Sequence, residues 1–294
     1  MSYRSVFTPG LFNGRTVVVT GGGSGIGRCT AHEIAALGAH VAICGRKQEK
    51  LDTVRGEIEA AGGSCETHIF DIREEAQVKD AVAAVVARNG RIHGLFNNAG
   101  GQFPSPAASL SAKGFDVVVR NNLTGGFLVS REVFTQSMQH HGGSIVNMTA
   151  DYRNGFPTMV HTGAARAGMA NLTMTLAYEW AVAGVRVNSV APGWIATPLT
   201  QALQDDPERS APILARTPMA RWGLPEEVAA CAVFPSMRVY DWASDVKKEW
   251  FIEDGIHFTS PGYAARSELI AHALAHAFPA KGESEGGSNN CVVN

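Results

Sequence analysis

Residues 15–27 read RTVVVTGGGSGIG, and the fold turns on how this stretch divides. RTVVVT (15–20) is a short β-branched run with no helical period, the pattern of a strand buried on both faces. Glycines end it, and an apolar periodicity suited to a helix then continues to about Leu37. The same unit repeats. HVAIC (40–44), CETHIF (65–70) and IHGLFNN (92–98) predict further strands, separated by helices over 48–60 and 74–88. A long helix from about Gly114 leads to SIVNMT (144–149), and a helix from Thr162 to Ala183 leads to VRVNSVAP (185–192). Strands alternating with helices in this way predict an α/β fold of Rossmann type, a doubly wound parallel sheet covered on both faces. Ligands of such sheets lie beyond the carboxyl ends of the strands.

The remaining text and the composition bound what this fold carries. Residues 194–224 are rich in Pro, Thr and Arg and read as a mobile lid; 225–234 return as a helix with Pro225 near its start. The organisation predicted is one nucleotide-binding domain over 1–234, an atypical segment over 235–279 and a disordered polar tail over 280–294. The chain of 294 residues is 45% hydrophobic, enough for one large core. Lys and Arg number 25 against 27 Asp and Glu, a net charge of -2 that gives no electrostatic reason to expect nucleic acid or a membrane surface. The cysteines (Cys29, Cys44, Cys65, Cys231, Cys291) are odd in number, scattered and without a CxxC pair, which reads as reduced thiols rather than a disulfide frame or a metal site. With no apolar leader and no run long enough to span a bilayer, a cytoplasmic location is expected.

The glycine loop sits between strand and helix, the context in which it binds a dinucleotide. Gly21 permits the tight turn, Gly25 lets backbone approach phosphate, and Gly27 lets the helix pack close with its first amides facing the pyrophosphate. An NAD site usually carries an acid at the end of the second strand for the ribose hydroxyls. Here that place is Gly45, followed by Arg46, with Arg28 just after the glycine loop. Two guanidiniums and no carboxylate suit a 2′-phosphate, so NADP(H) is favoured over NAD(H). Solvated surface charge is the alternative for both arginines.

TGGGSGIG (20–27), Asp71, NNAG (97–100), Asn122 in NNLTGGF (121–127) and RVNSVAPGWIATP (186–198) follow one another over about residues 10–234. In these motifs the chain resembles the short-chain dehydrogenases/reductases. The resemblance implies that Ser24 and Ile26 complete the glycine loop, that Asp71 and Ile72 hold the adenine end, and that Asn98, Ala99 and Gly100 line the cofactor. It also implies that Pro192, Gly193, Ile195 and Thr197 border the nicotinamide. The family's catalytic set is Asn, Ser, Tyr and Lys. Asn122 matches the first and Thr149 keeps a hydroxyl at the second, while HTGAARAG (161–168) places Thr162 at the tyrosine and Arg166 at the lysine. Thr162 and Arg166, four apart on a helix, still share a side.

A threonine hydroxyl is far less acidic than a phenol of pKa about 10, so ordinary carbonyl reduction lacks its acid. Within the family, NNAGGQFPSPAASLSAKGF (97–115) and GFPTMVHTGAARAGMANLT (155–173) look most like the peroxisomal trans-2-enoyl-CoA reductases. The related 2,4-dienoyl-CoA reductases draw a tyrosine from the loop after the fifth strand, which makes Tyr152 the candidate stand-in; the alternative is an exposed loop aromatic. His161 is a candidate proton donor by residue type, but capping or packing is the favoured reading at a helix start. Arg166 is expected to hold the nicotinamide ribose without relaying protons.

Reduction of an enoyl thioester needs less acid, since hydride at the β-carbon leaves a stabilised enolate. The expectation is therefore NADPH-dependent reduction of the 2,3 double bond of an enoyl thioester, with two alternatives: a carbonyl or hydroxyl oxidoreductase, and a cofactor-binding chain without turnover. The expected partners are a small molecule such as an acyl-CoA and, where the C-terminal segment permits, further copies of the chain. That segment departs from the family. DGIHFTSPGY (254–263) resembles the last block of the SGNH esterases, with Asp254 and His257 at the triad places, but no GDS nucleophile block accompanies it and no acyl transfer is expected. WFIEDGI (250–256) is a candidate to imitate the missing edge strand, and residues 263–278 read as an amphipathic helix.

Overall fold

A computed structural model describes Phe7, residues 9–152 and residues 155–236. Six strands form one parallel sheet in the order β3-β2-β1-β4-β5-β6. They are β1 (Thr16–Thr20), β2 (His40–Gly45), β3 (Ser64–Ile69), β4 (Gly94–Asn97), β5 (Gly143–Met148) and β6 (Val185–Val190). The order reverses between β1 and β4, the switch point at which such sheets open a crevice.

Helices α1 (Gly25–Ala36), α2 (Gln48–Ala60) and α3 (Glu75–Asn89) connect the first four strands. The sheet divides the core by the alternation of its side chains. Val17 and Val19 pack with Ile34, Leu51 and Val54 on one face, whereas Val18 packs with Val82, Val129 and Leu176 on the other. All five residues of β1 are buried, which is why the run reads as continuous rather than alternating.

The long helix before β5 begins at Ala112, two residues earlier than expected, and is not uniform. It runs as α4 (Ala112–Val119), a π-helical turn (Arg120–Thr124), α5 (Gly125–Val133), a second π turn (Phe134–Met138) and α6 (Gln139–His141). The first π turn carries Asn122. Such turns rotate a side chain out of the helical register and recur at functional positions. Helix α7 (Val160–Trp180) also starts two residues early, and β6 ends at Val190 rather than Pro192.

The segment expected to be a mobile lid has its own structure. It contains α8 (Gln201–Gln204) and α9 (Pro207–Ala215), and α10 (Pro225–Ser236) follows. Asp206 caps α9 by accepting from the amides of Glu208 and Arg209, with Pro207 at the first helical position. The two ends of the segment meet: the Ala196 amide donates to the Gly223 carbonyl at 2.8 Å, and the rings of Trp194 and Trp222 meet edge to face. Among the described residues no helix is long and apolar enough to cross a membrane, and no cluster of His, Cys, Asp or Glu is arranged to hold a metal. The expected edge-strand mimic, amphipathic helix, esterase-like block and polar tail lie outside the described residues.

Candidate active site

The site gathers at the carboxyl ends of β1, β4, β5 and β6. Thr20 ends β1, and its hydroxyl accepts the amides of Asn98 and Ala99 at 3.0 Å each. Asn98 returns a bond from Nδ2 to the Thr20 carbonyl at 3.0 Å. These contacts clamp NNAG against the glycine loop. Gly21 has φ +67°, and a Cβ there would come within 2.9 Å of Asn98 Nδ2. At Gly27 a Cβ would strike the Gly21 carbonyl, so the start of α1 packs against the loop only without a side chain.

Ser24 stands at the N-cap of α1 and makes no side-chain cap bond, and no acid occupies the first turn. The leading amides are therefore free to meet an anion, and this cradle fits a dinucleotide pyrophosphate. Opposite lies Thr197, whose side chain would be 3.5 Å from a Cβ at Gly25. Thr200 fixes that border, donating to the Ile195 carbonyl at 2.7 Å and accepting the Thr197 amide at 3.1 Å. Thr20 opened the quoted glycine motif without being given this role, and Thr200 was missed because a threonine in a loop has no pattern of its own.

At the adenosine end the structure alters one expectation. Arg28 is engaged by Glu57 of α2, with Nε 2.7 Å from Oε2, and Glu57 also meets His32 at 3.0 Å. The hydrogen bond from Arg28 holds the Glu57 carboxyl below its ordinary range despite an opposing push from burial. Arg28 is thus drawn toward α2 instead of standing free for a 2′-phosphate. Arg46 remains exposed just after β2, beside the equally exposed Lys47. The Asp71 carboxylate is gripped by Arg73 through contacts of 2.5 to 3.1 Å, which lower its pKa. Ile72 is buried against the start of α5, where a Cβ at Gly125 would meet it at 2.7 Å.

Asn122, Gly100 and Arg166 converge. Asn122 Nδ2 donates to the Gly101 carbonyl at 2.8 Å and Oδ1 accepts the Gly101 amide at 3.2 Å, so the π turn holds the loop after β4. A Cβ at Gly100 would lie 2.6 Å from Asn122 Oδ1 and 2.8 Å from the Arg166 guanidinium. Arg166 is buried, donates to the Met148 carbonyl at 2.6 Å, and among the described residues has no carboxylate in ion-pair reach. Burial lowers its pKa to about 10, which still leaves it charged at neutral pH. Below the site, Asn97 bonds Asn147 and Ser130, and Asn147 bonds Thr173, a buried polar chain joining β4, β5, α5 and α7. Asn97, Asn147 and Thr173 stood in stretches that the sequence singled out, but none was given this role, and Ser130 stood in none.

Thr149 donates its hydroxyl to the Val190 carbonyl at 2.9 Å. Thr162 is buried with Arg166 on the inner side of α7, and its hydroxyl lies 3.2 Å from His161 Nδ1. Tyr152, the expected stand-in donor, sits in the loop after β5. It lines a cavity of about 510 Å³ with Ala107, Phe156, Pro157, Val160 and Gly163.

A parallel sheet with a glycine cradle at its switch point, and a buried cation beside it, defines a dinucleotide-binding oxidoreductase. The short chain dehydrogenase family model matches residues 15–208, and the chain belongs to that family. It is 35% identical over 251 residues to a probable 2,4-dienoyl-CoA reductase of Bacillus subtilis, covering 84% of this chain and 98% of that protein. Among solved structures it resembles a citronellol catabolism dehydrogenase (AtuB) of Pseudomonas aeruginosa, with 57% identity, TM-score 0.72, and coverage of 80% of this chain and 92% of the other. It also resembles a structure described as a putative NAD(P)-dependent gluconate 5-dehydrogenase from Beutenbergia cavernae with bound NADP at low occupancy, with 37% identity, TM-score 0.74, and coverage of 78% and 92%.

Proposed function

We propose that the chain uses NADPH to reduce the 2,3 double bond of an enoyl thioester. The observation that carries this reading is the pairing of a buried, carboxylate-free Arg166 with Thr162 in place of a phenol. Such a site can stabilise negative charge but has no strong acid at the family's usual position. A bound reduced nicotinamide supplies hydride to the β-carbon. Arg166 adds positive potential where charge develops and holds the ribose, while Asn122 keeps Gly100 and Gly101 in place. Thr149 and Thr162 supply hydroxyls near the reacting oxygen once their present bonds exchange. The cavity beside Tyr152 suits the apolar acyl chain.

The similarity to a probable 2,4-dienoyl-CoA reductase supports the thioester chemistry. NADP(H) is preferred over NAD(H) because Gly45 removes the usual acid and Arg46 stands ready for a 2′-phosphate; a similar structure holds NADP. The second reading is oxidation of an alcohol with an aliphatic chain, favoured by the likeness to a dehydrogenase of citronellol catabolism. The reading includes self-association: Met174 and Tyr178 are exposed one turn apart on α7, an apolar stripe that a second copy would cover. The domain boundary near residue 234 and a cytoplasmic location belong to the same proposal.

Rates of NADPH oxidation with crotonyl-CoA and acetoacetyl-CoA, set against NADP reduction with citronellol, distinguish the readings. Crotonyl-CoA is expected to be the preferred substrate. A faster reaction with the alcohol would replace the first reading by the second.

A further inference from the structure

His161 lies in the first turn of α7 with its ring fully buried. Its Nδ1 accepts the backbone N–H of Thr162 at 2.8 Å, so Nδ1 is the unprotonated nitrogen of a neutral ring. The proton then resides on Nε2, and among the described residues Nε2 has no hydrogen-bond partner. A buried donor without an acceptor opposes folding unless something else meets it, and such atoms mark functional positions.

The direction of that donor follows from the ring. With Nδ1 tied back to the Thr162 amide of the helix, Nε2 lies on the far side of the ring from that amide. The Phe103 ring meets the imidazole edge to face with centroids 4.9 Å apart, and at 41% exposure it stands between His161 and solvent. The loop itself is fixed at both ends: Asn122 holds Gly101, and the Ser105 amide donates to the Thr158 carbonyl at 2.7 Å. The unpaired N–H thus belongs to the ring whose Nδ1 meets Thr162, the residue that replaces the phenol, and the ring lies against an aromatic side chain that a substrate can displace.

We propose that His161 is a catalytic hydrogen-bond donor, its neutral Nε2–H binding the acyl oxygen of the substrate and stabilising the charge that collects there. The inference rests on the enoyl thioester reading. Hydride from the reduced nicotinamide forms the C3–H bond, the C2–C3 π pair moves between C1 and C2, and the carbonyl π pair moves onto oxygen. The nicotinamide is left oxidised. A proton from water then forms the C2–H bond, the carbonyl re-forms, and the saturated thioester leaves. His161 gives a hydrogen bond throughout and no proton, so it needs no charged form. A neutral imidazole can stabilise an enolate in this way, whereas an alkoxide must be fully protonated.

The test compares His161→Phe and His161→Gln, the second of which returns an N–H near the place of Nε2. With NADPH and crotonyl-CoA, His161→Phe is expected to lower kcat by roughly 10²–10³-fold and to leave NADPH binding, read by fluorescence titration, within about threefold. His161→Gln is expected to recover most of the loss. In wild-type protein, ¹⁵N spectra of the imidazole should show a protonated Nε2 whose shift moves when crotonyl-CoA is added with NADP. That measurement stands even where the Phe variant does not fold. A Phe variant that keeps wild-type kcat, or a ring protonated at Nδ1, overturns the donor while enoyl reduction stands. A wild-type chain that oxidises no NADPH with the thioester overturns the enoyl reading and the donor with it.

Discussion

At the scale of single residues, the site separates groups that meet from groups that the sequence only placed near one another. Arg166 is the center of the first set, buried and held to the Met148 carbonyl. Arg166→Met removes the only positive potential argued for the reacting oxygen, and kcat/KM is expected to fall on the order of 10²-fold or more. Arg166→Lys should recover part of it, as steady-state assays would show. Tyr152 lines the cavity proposed for the acyl chain, and Tyr152→Phe is expected to change kcat by less than about threefold, whereas removal of a catalytic acid costs about 10²–10⁴. The identities at 161–168 were legible as a departure from the family pattern. Their contacts were not, because the meeting of His161 with Phe103 and of Arg166 with the Met148 carbonyl depends on packing between elements that no periodicity encodes.

At the scale of elements, two contacts between neighbours set measurable behaviour. Glu57 on α2 holds Arg28 on α1, and Glu57→Gln should weaken that hold. The ratio of NADH to NADPH dissociation constants, measured by fluorescence titration, is then expected to rise several-fold, about 1 kcal/mol at most for an exposed pair. His93, just before β4, accepts the Thr16 amide on Nδ1 at 2.9 Å and donates its own amide to the Thr16 carbonyl, joining the starts of β1 and β4. Burial, with help from Arg91 and Arg15, depresses its pKa from 6.5 to about 4. The unfolded chain therefore binds the proton more readily, so this stabilisation is complete above pH 6.5 and is lost as the pH falls toward 4. His93→Asn keeps an acceptor that does not titrate, and urea unfolding at pH 7.5 and 4.5 should show it losing about 1–2 kcal/mol less than wild type over that interval. The strands and most helices were legible from β-branched runs and apolar spacing. The π turn at Asn122 was not, since it differs from an α-helix by one inserted residue and leaves the apolar period almost intact.

At the scale of the whole molecule, the fold delivers a cofactor cradle whose parts were nearly all readable, because strand, glycine turn and helix carry strong local signals. The chemistry was less so: it depends on which buried groups lack partners, and that is a property of packing across β4, β5 and α7. The central claim is that hydride reaches a carbon of an acyl double bond rather than a carbonyl carbon. NADPH carrying deuterium at the transferred position of C4 tests this when it is incubated with the protein and crotonyl-CoA and the product is read by mass spectrometry and NMR. The account predicts butyryl-CoA with one deuterium at C3. Deuterium found at a carbinol carbon with acetoacetyl-CoA, and none in the acyl product from crotonyl-CoA, would contradict it.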